Sequence, residues 1–164
     1  MKAARAMVAV VLAVSVAAVA HAQRGPAEVL TNDSIISMTT ANVNKDLMLA
    51  KINTTKNTFD VSVDGLVSLT TGKVNVDVIK SMISAAGNPK LGPAAPKTEV
   101  LDNQSIIKMV VSKVQQPVII AKIVATKANF DVTSAGLVSL TQAKVPNNIV
   151  QAMIAKGGST SSRP

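Results

Sequence analysis

No cysteine, tryptophan or tyrosine occurs anywhere in this 164-residue chain, and its only histidine is His21. Without cysteine no disulfide braces the fold. Zinc sites, built mostly from Cys and His, lose their usual ligands. A Ser-His-Asp or Cys-His system needs an imidazole to move the proton, and His21 lies in a segment read below as removable. Phe59 and Phe130 are the only aromatics, too few for a platform that stacks single-stranded bases. Acidic residues number nine, and Glu28 and Glu99 lie outside the repeated segments described below. Paired-carboxylate catalysis remains open in principle. No glycine-rich phosphate loop and no D-x-D-x-D-G calcium loop is present. These absences predict no enzyme, no cofactor, no metal and no sequence-specific nucleic-acid partner.

What is present begins with an export signal. Lys2 and Arg5 precede the apolar run Ala6 to Ala20, and Ala20-His21-Ala22 offers an A-x-A site before Gln23. That is the anatomy of a secretory signal peptide over residues 1–22, cleaved after Ala22. The run is shorter than the roughly 20 residues a membrane span needs. The expectation is a secreted or periplasmic protein with no transmembrane span after cleavage.

The rest is organised by a duplication. Residues 29–87 and 100–158 align without a gap at an offset of 71, with 27 identities in 59 positions. Both copies read N-x-S-I-I-x-M, A-K-I, F-D-V, G-L-V-S-L-T, K-V and M-I in that order. A weaker repeat at offset 31 lies within each copy: Val43-Asn44-Lys45-Asp46 matches Val74-Asn75-Val76-Asp77, and Lys113-Val114 matches Lys144-Val145. Each copy therefore reads as two helical hairpins. A single hairpin of about 30 residues is too small to fold unaided, whereas about 55–65 residues can suffice, so the 59-residue copy is the expected folding unit. Residues 88–99 carry three prolines and read as a linker that either separates the units or lets them dock. Residues 159–164 read as a disordered tail.

The predicted class is all-α, with two tandem homologous units of four short helices each. Thr31 or Asn32 caps a first helix near Asp33 to Ala41, and Asn44 caps a second near Lys45 to Lys56. Asp102 or Asn103 serves in the second copy, and Pro117 fits the first turn of its helix. Ser62 and Thr133 cap third helices ending near Gly72 and Ala143. Asn75 caps the last helix of the first copy. Its counterpart starts at Pro146-Asn147, and Gly87 and Gly157-Gly158 stand where a left-handed residue commonly closes a helix. Val78, Ile79, Met82 and Ile83 share one helical face. Val118-Ile119-Ile120 and Asp60-Val61-Ser62-Val63 have strand-like composition, but caps, stops and period agree on helices.

Phe59 and Phe130 read either as paired ligand contacts or as core anchors. Asp60 and Asp131 read as acceptors for backbone N–H groups at a turn, or as a site for a cation or basic partner. Gly65 and Gly136 suggest close backbone approach to a neighbouring helix. Formal net charge is +8, and loss of Lys2 and Arg5 leaves +6. The first copy has five Lys and five Asp, the second six Lys and two Asp. A contact surface for an anionic envelope polymer would therefore use Lys108, Lys113, Lys122, Lys127 and Lys144, unless those lysines only solvate helix faces. Asn32, Asn53 and Asn103 begin N-x-S/T sequons.

The motif N-x-S-I-I-x-M with F-D-x-S/T-x-x-G-L-x-x-L resembles a helical repeat of exported bacterial proteins to which no activity is assigned. The resemblance covers both copies and implies a helical fold. The F-D-V-T element before a helix also resembles peptidoglycan-binding helical modules, without their aromatic–Gln helix pattern. The expected function is a non-enzymatic binding or assembly module of the bacterial envelope or exterior. Its partner would be a protein or an anionic envelope polymer, cell wall included. Oligomeric state is not legible in the sequence.

Overall fold

The computed structural model describes residues 28–92 and 99–157. The expected signal peptide, the tail, Gly158 and most of the linker lie outside the described residues. The rest is mostly helical. Helices α1 (Asn32–Thr40), α2 (Lys45–Thr54), α3 (Val63–Thr71) and α4 (Val76–Ala86) come from the first copy. Helices α5 (Asn103–Val111), α6 (Gln116–Ala125), α7 (Ser134–Gln142) and α8 (Asn147–Gly157) come from the second.

Most starts are capped as the side chains dictate. The Thr31 hydroxyl accepts the Ser34 N–H at 3.3 Å, and Asp102 accepts that of Ser105 at 2.7 Å. Asn44, Ser62, Asn75 and Thr133 cap α2, α3, α4 and α7 in the same way. Helix α6 has no side-chain cap and uses Pro117 in its first turn instead.

The helix stops correct one expectation. No described glycine has a positive φ; the left-handed residues are Asn42, Lys73, Lys113 and Lys144. Each is followed by a valine whose N–H reaches back five residues, as in Val74 to the Leu69 carbonyl at 3.1 Å and Val114 to Met109 at 2.9 Å. This is the Schellman closure, in which an apolar residue after the left-handed one packs back on the helix. The recurring K-V pair is that closure. Val74, Val114 and Val145 are buried by it.

The all-α expectation also misses two short parallel strand pairs. Val29–Leu30 (β1) pairs with Lys56–Asn57 (β2), and Val100–Leu101 (β3) with Lys127–Ala128 (β4). They tie the entrance of each copy to the end of its second helix, so α2 stops at Thr54, short of the expected Lys56. Two-residue strands are too short to leave a period of two in the sequence.

The helices stack in two layers. In one, α1 packs on α3, α3 on α5 and α5 on α7; in the other, α2 packs on α4, α4 on α6 and α6 on α8. Helix α4, flanked on both sides, buries Val78, Ile79, Met82, Ile83, Ala85 and Ala86. Terminal α8 buries only Ile149 and Met153. One apolar cluster runs through both copies, and Leu91 at the start of the linker packs against it. Because the copies share this core, urea unfolding followed by circular dichroism should show one cooperative transition. Two resolved transitions would show independent 59-residue units instead.

Candidate functional site

The residues that recur between the copies meet at one place in each. The Asn32 side-chain amide donates to the Asp60 carbonyl at 2.8 Å, and its oxygen accepts the Asp60 N–H at 3.1 Å. Asn103 clamps Asp131 identically, at 2.9 and 3.0 Å. Neither asparagine is a helix cap, because Thr31 and Asp102 already fill that role. Each instead holds the corner that leads into α3 or α7. Within the corner, Asp60 Oδ1 accepts the Ser62 N–H at 2.9 Å and Asp131 Oδ1 that of Thr133 at 3.0 Å. These carboxylates satisfy backbone at a turn, one of the two readings given above.

Gly65 and Gly136 complete the corner. A Cβ on Gly65 would stand 2.1 Å from the Asp60 carbonyl oxygen, and one on Gly136 2.2 Å from that of Asp131. The close approach is therefore to the glycine's own corner, not to a neighbouring helix as expected. Phe59 and Phe130 are 2% and 9% exposed; they anchor the core beneath these corners. The side-chain amides of the Asn32 and Asn103 sequons are occupied by the clamp, whereas Asn53 lies exposed on α2.

Hydrogen bonds from Ser105 and Thr133 hold the Asp102 and Asp131 carboxyls below the ordinary aspartate range, against a smaller opposing effect of burial. A carboxyl whose folded pKa is depressed adds stability above its unfolded value, and the gain is lost as pH falls through the folded one. Urea midpoints should therefore hold above about pH 4 and fall below it. Asp102→Asn should flatten part of that fall, since the amide oxygen still caps but no longer titrates.

The five candidate lysines do not form one surface. Lys108 lies on α5 with its Nζ 2.5 Å from Asp64 of α3, across the boundary between the copies. Lys122 is buried, its side chain 4% exposed, with Nζ 2.7 Å from Glu99 Oε2. An external polymer cannot reach it. Lys113 and Lys144 are exposed left-handed residues at hairpin turns on one edge of the stack. Lys127 is exposed on β4, beyond the far end of ten-residue α6, about 15 Å along the helix from Lys113.

Glu99 is the residue that sequence reasoning undervalued. Its second oxygen accepts the Val63 N–H at 3.2 Å, so one carboxylate joins α3 of the first copy to α6 of the second. In the first copy Glu28 pairs with Lys51 at 2.6 Å, on the surface. Glu28 and Glu99 stand 71 apart, so extending the alignment one residue upstream would have found them. Asn57 is 2% exposed and its amide nitrogen finds no partner among the described residues. The second copy has Ala128 there. Asn57→Ala should leave stability unchanged or raise it by about 1 kcal/mol, read from the urea midpoint.

A shallow open depression of about 270 Å³ lies beside the second corner, between Asn103, Ile107, Asp131 and Gly136. Its polar lining combines the clamp residues Asn103 and Asp131 with Asp102, Gln104, Asn129 and Ser139. No group of three or more His, Cys, Asp or Glu that could hold a metal occurs among the described residues. No helix among them is long and apolar enough to cross a membrane. Compared with known proteins, the chain matches no family model, no curated protein and no solved structure.

Proposed function

We propose that this protein is an exported, non-enzymatic binding or assembly module of the bacterial envelope or exterior, built from two homologous four-helix units. The observation that carries the reading is the use made of the recurring polar residues. Asn32, Asp60, Ser62 and their counterparts all bond backbone at the corners. What selection has duplicated is a scaffold. Stacked helical hairpins of this kind present extended surfaces for binding. Immobilised chain should retain a component of envelope extract, and Asp60→Asn, folded, should retain it equally. Substrate turnover abolished by that substitution would overturn the reading.

A second reading, binding of an anionic envelope polymer, has its own observation. Lys73, Lys113 and Lys144 all occupy left-handed turns, and successive turns follow one edge at the roughly 10 Å spacing of packed helices. Retention on an anionic polymer that falls steeply with salt, and is lost in Lys113→Gln/Lys144→Gln, would favour it. Salt-independent retention would exclude it.

A further inference from the structure

The two ends of the stack are the two halves of its internal joint. Within the chain, α3 and α4 pack on α5 and α6. By the 71-residue offset, the outer face of α7 and α8 corresponds to α3 and α4, and the outer face of α1 and α2 corresponds to α5 and α6. Exposure follows that correspondence on both sides. Ile83 is 5% exposed at the joint while Ile154, its counterpart at the end, is 43% exposed. Leu66 is fully buried, whereas Leu137 is half-buried and its neighbour Val138 is 55% exposed. At the other end, Val118 is 1% exposed in the joint and Leu47, its counterpart, 63%. Lys122 and Lys51 differ in the same sense, with side chains 4% and 36% exposed. Natural helical stacks close their ends with polar caps; these ends carry leucine, valine and isoleucine.

We propose that chains associate end to end, α7/α8 of one molecule against α1/α2 of the next, repeating between molecules the joint seen within one. The occupant of each end face is a second copy. This rests on the reading of the protein as a binding or assembly module and names its partner. The chemistry at the ends is compatible throughout. Leu47 holds on α2 the place Val118 holds on α6 at the α4–α6 joint, and Val150 and Ile154 hold on α8 the places of Ile79 and Ile83 on α4. Glu28, already paired with Lys51, stands where Glu99 accepts the Val63 N–H, and Ser134 supplies the corresponding N–H at the start of α7. The Lys108–Asp64 pair has no counterpart: Ser37 and Ala135 occupy those positions. The exposed pair contributes little, so its loss weakens the joint without opposing it. Lys156, which replaces Ala85, donates its Nζ to the Val124 carbonyl of the adjacent α6 at 3.0 Å, an internal partner. An interface of unlike faces leaves one free face at each end of the pair, so association continues past the dimer into chains of molecules.

The test is sedimentation velocity on the full-length chain purified after export, from about 1 μM to about 1 mM, the range of weak association. The mean mass should climb past the dimer with concentration. Leu47→Lys and Ile154→Lys, each confirmed as folded by circular dichroism, should each be monomeric. An equimolar mixture of the two should stop at the dimer, since each supplies the intact face the other lacks. Ser37→Lys/Ala135→Asp, which installs the missing ion pair, should assemble at a concentration about two- to fivefold lower. Should a lysine variant unfold, Leu47→Gln and Ile154→Gln carry the same readout. A chain that stays monomeric at every concentration, with or without the installed pair, overturns the proposal. So does a mixture of the two single variants that stays monomeric, or a Leu47→Lys chain that still associates with itself. A monomer that nevertheless captures an envelope component would remove the end-to-end joint and leave the binding reading. Turnover by an assembled chain would do the reverse.

Discussion

Glu99→Ala should destabilise the protein by about 3–5 kcal/mol, the cost of leaving a buried charge without its partner. The charge is Lys122, whose side chain is 4% exposed and whose carboxylate partner among the described residues is Glu99. The same substitution at Glu28 should cost less than about 1 kcal/mol, because exposed ion pairs are weak. Lys51 there is 36% exposed and Glu28 57%. The two positions are homologous, so the comparison sets a buried pair that also holds the Val63 N–H against an exposed pair. Urea denaturation of both variants measures it directly. Lys122→Met/Glu99→Gln should recover most of the loss, since an apolar replacement of comparable length needs no counter-charge. Equal effects of Glu28→Ala and Glu99→Ala would show that the boundary between the copies is open to water.

The second large effect concerns Gly65 and Gly136. Alanine at either should cost about 3 kcal/mol, at the upper end of overpacking penalties, although alanine is ordinarily the better helix former by about 1 kcal/mol. The sign reverses because the new methyl group would lie within 2.2 Å of a backbone carbonyl oxygen. A carbonyl held by an asparagine clamp cannot swing aside as a flexible side chain would. Asn32→Ala should therefore soften the penalty of Gly65→Ala, and the double variant should be more stable than the sum of the singles. Circular dichroism melts of the four proteins form the cycle that decides it.

Much of this architecture is legible in the sequence, for physical reasons that differ by element. Helices with a side-chain cap and an apolar face, such as α3 and α4, announce themselves at both ends. The corner does not, because the clamp joins residues 28 apart through side chain and backbone. Its only trace is an asparagine retained in both copies next to a position that already caps the helix. The left-handed lysines run against the usual preference for glycine, and only the recurring valine after each betrays the closure. Burial at the joint leaves no trace at all, since Leu47 and Val118 are both apolar and their different surroundings come from position in the stack. Glu99, placed in a proline-rich linker, looks solvent-bound until the fold brings it between α3 and α6.

The uneven burial along the stack has a mechanical consequence. Each hairpin is held chiefly by its neighbours, and α4 has two flanking helices where α8 has one. Under tension applied to its two ends, the chain should lengthen in steps, shedding α7 and α8 first and α3 with α4 last. Neighbouring hairpins reform local contacts quickly, so each step should reverse when the load is released. Such a chain would act as an extensible strap whose slack lies at its ends and whose stiffest segment is its middle.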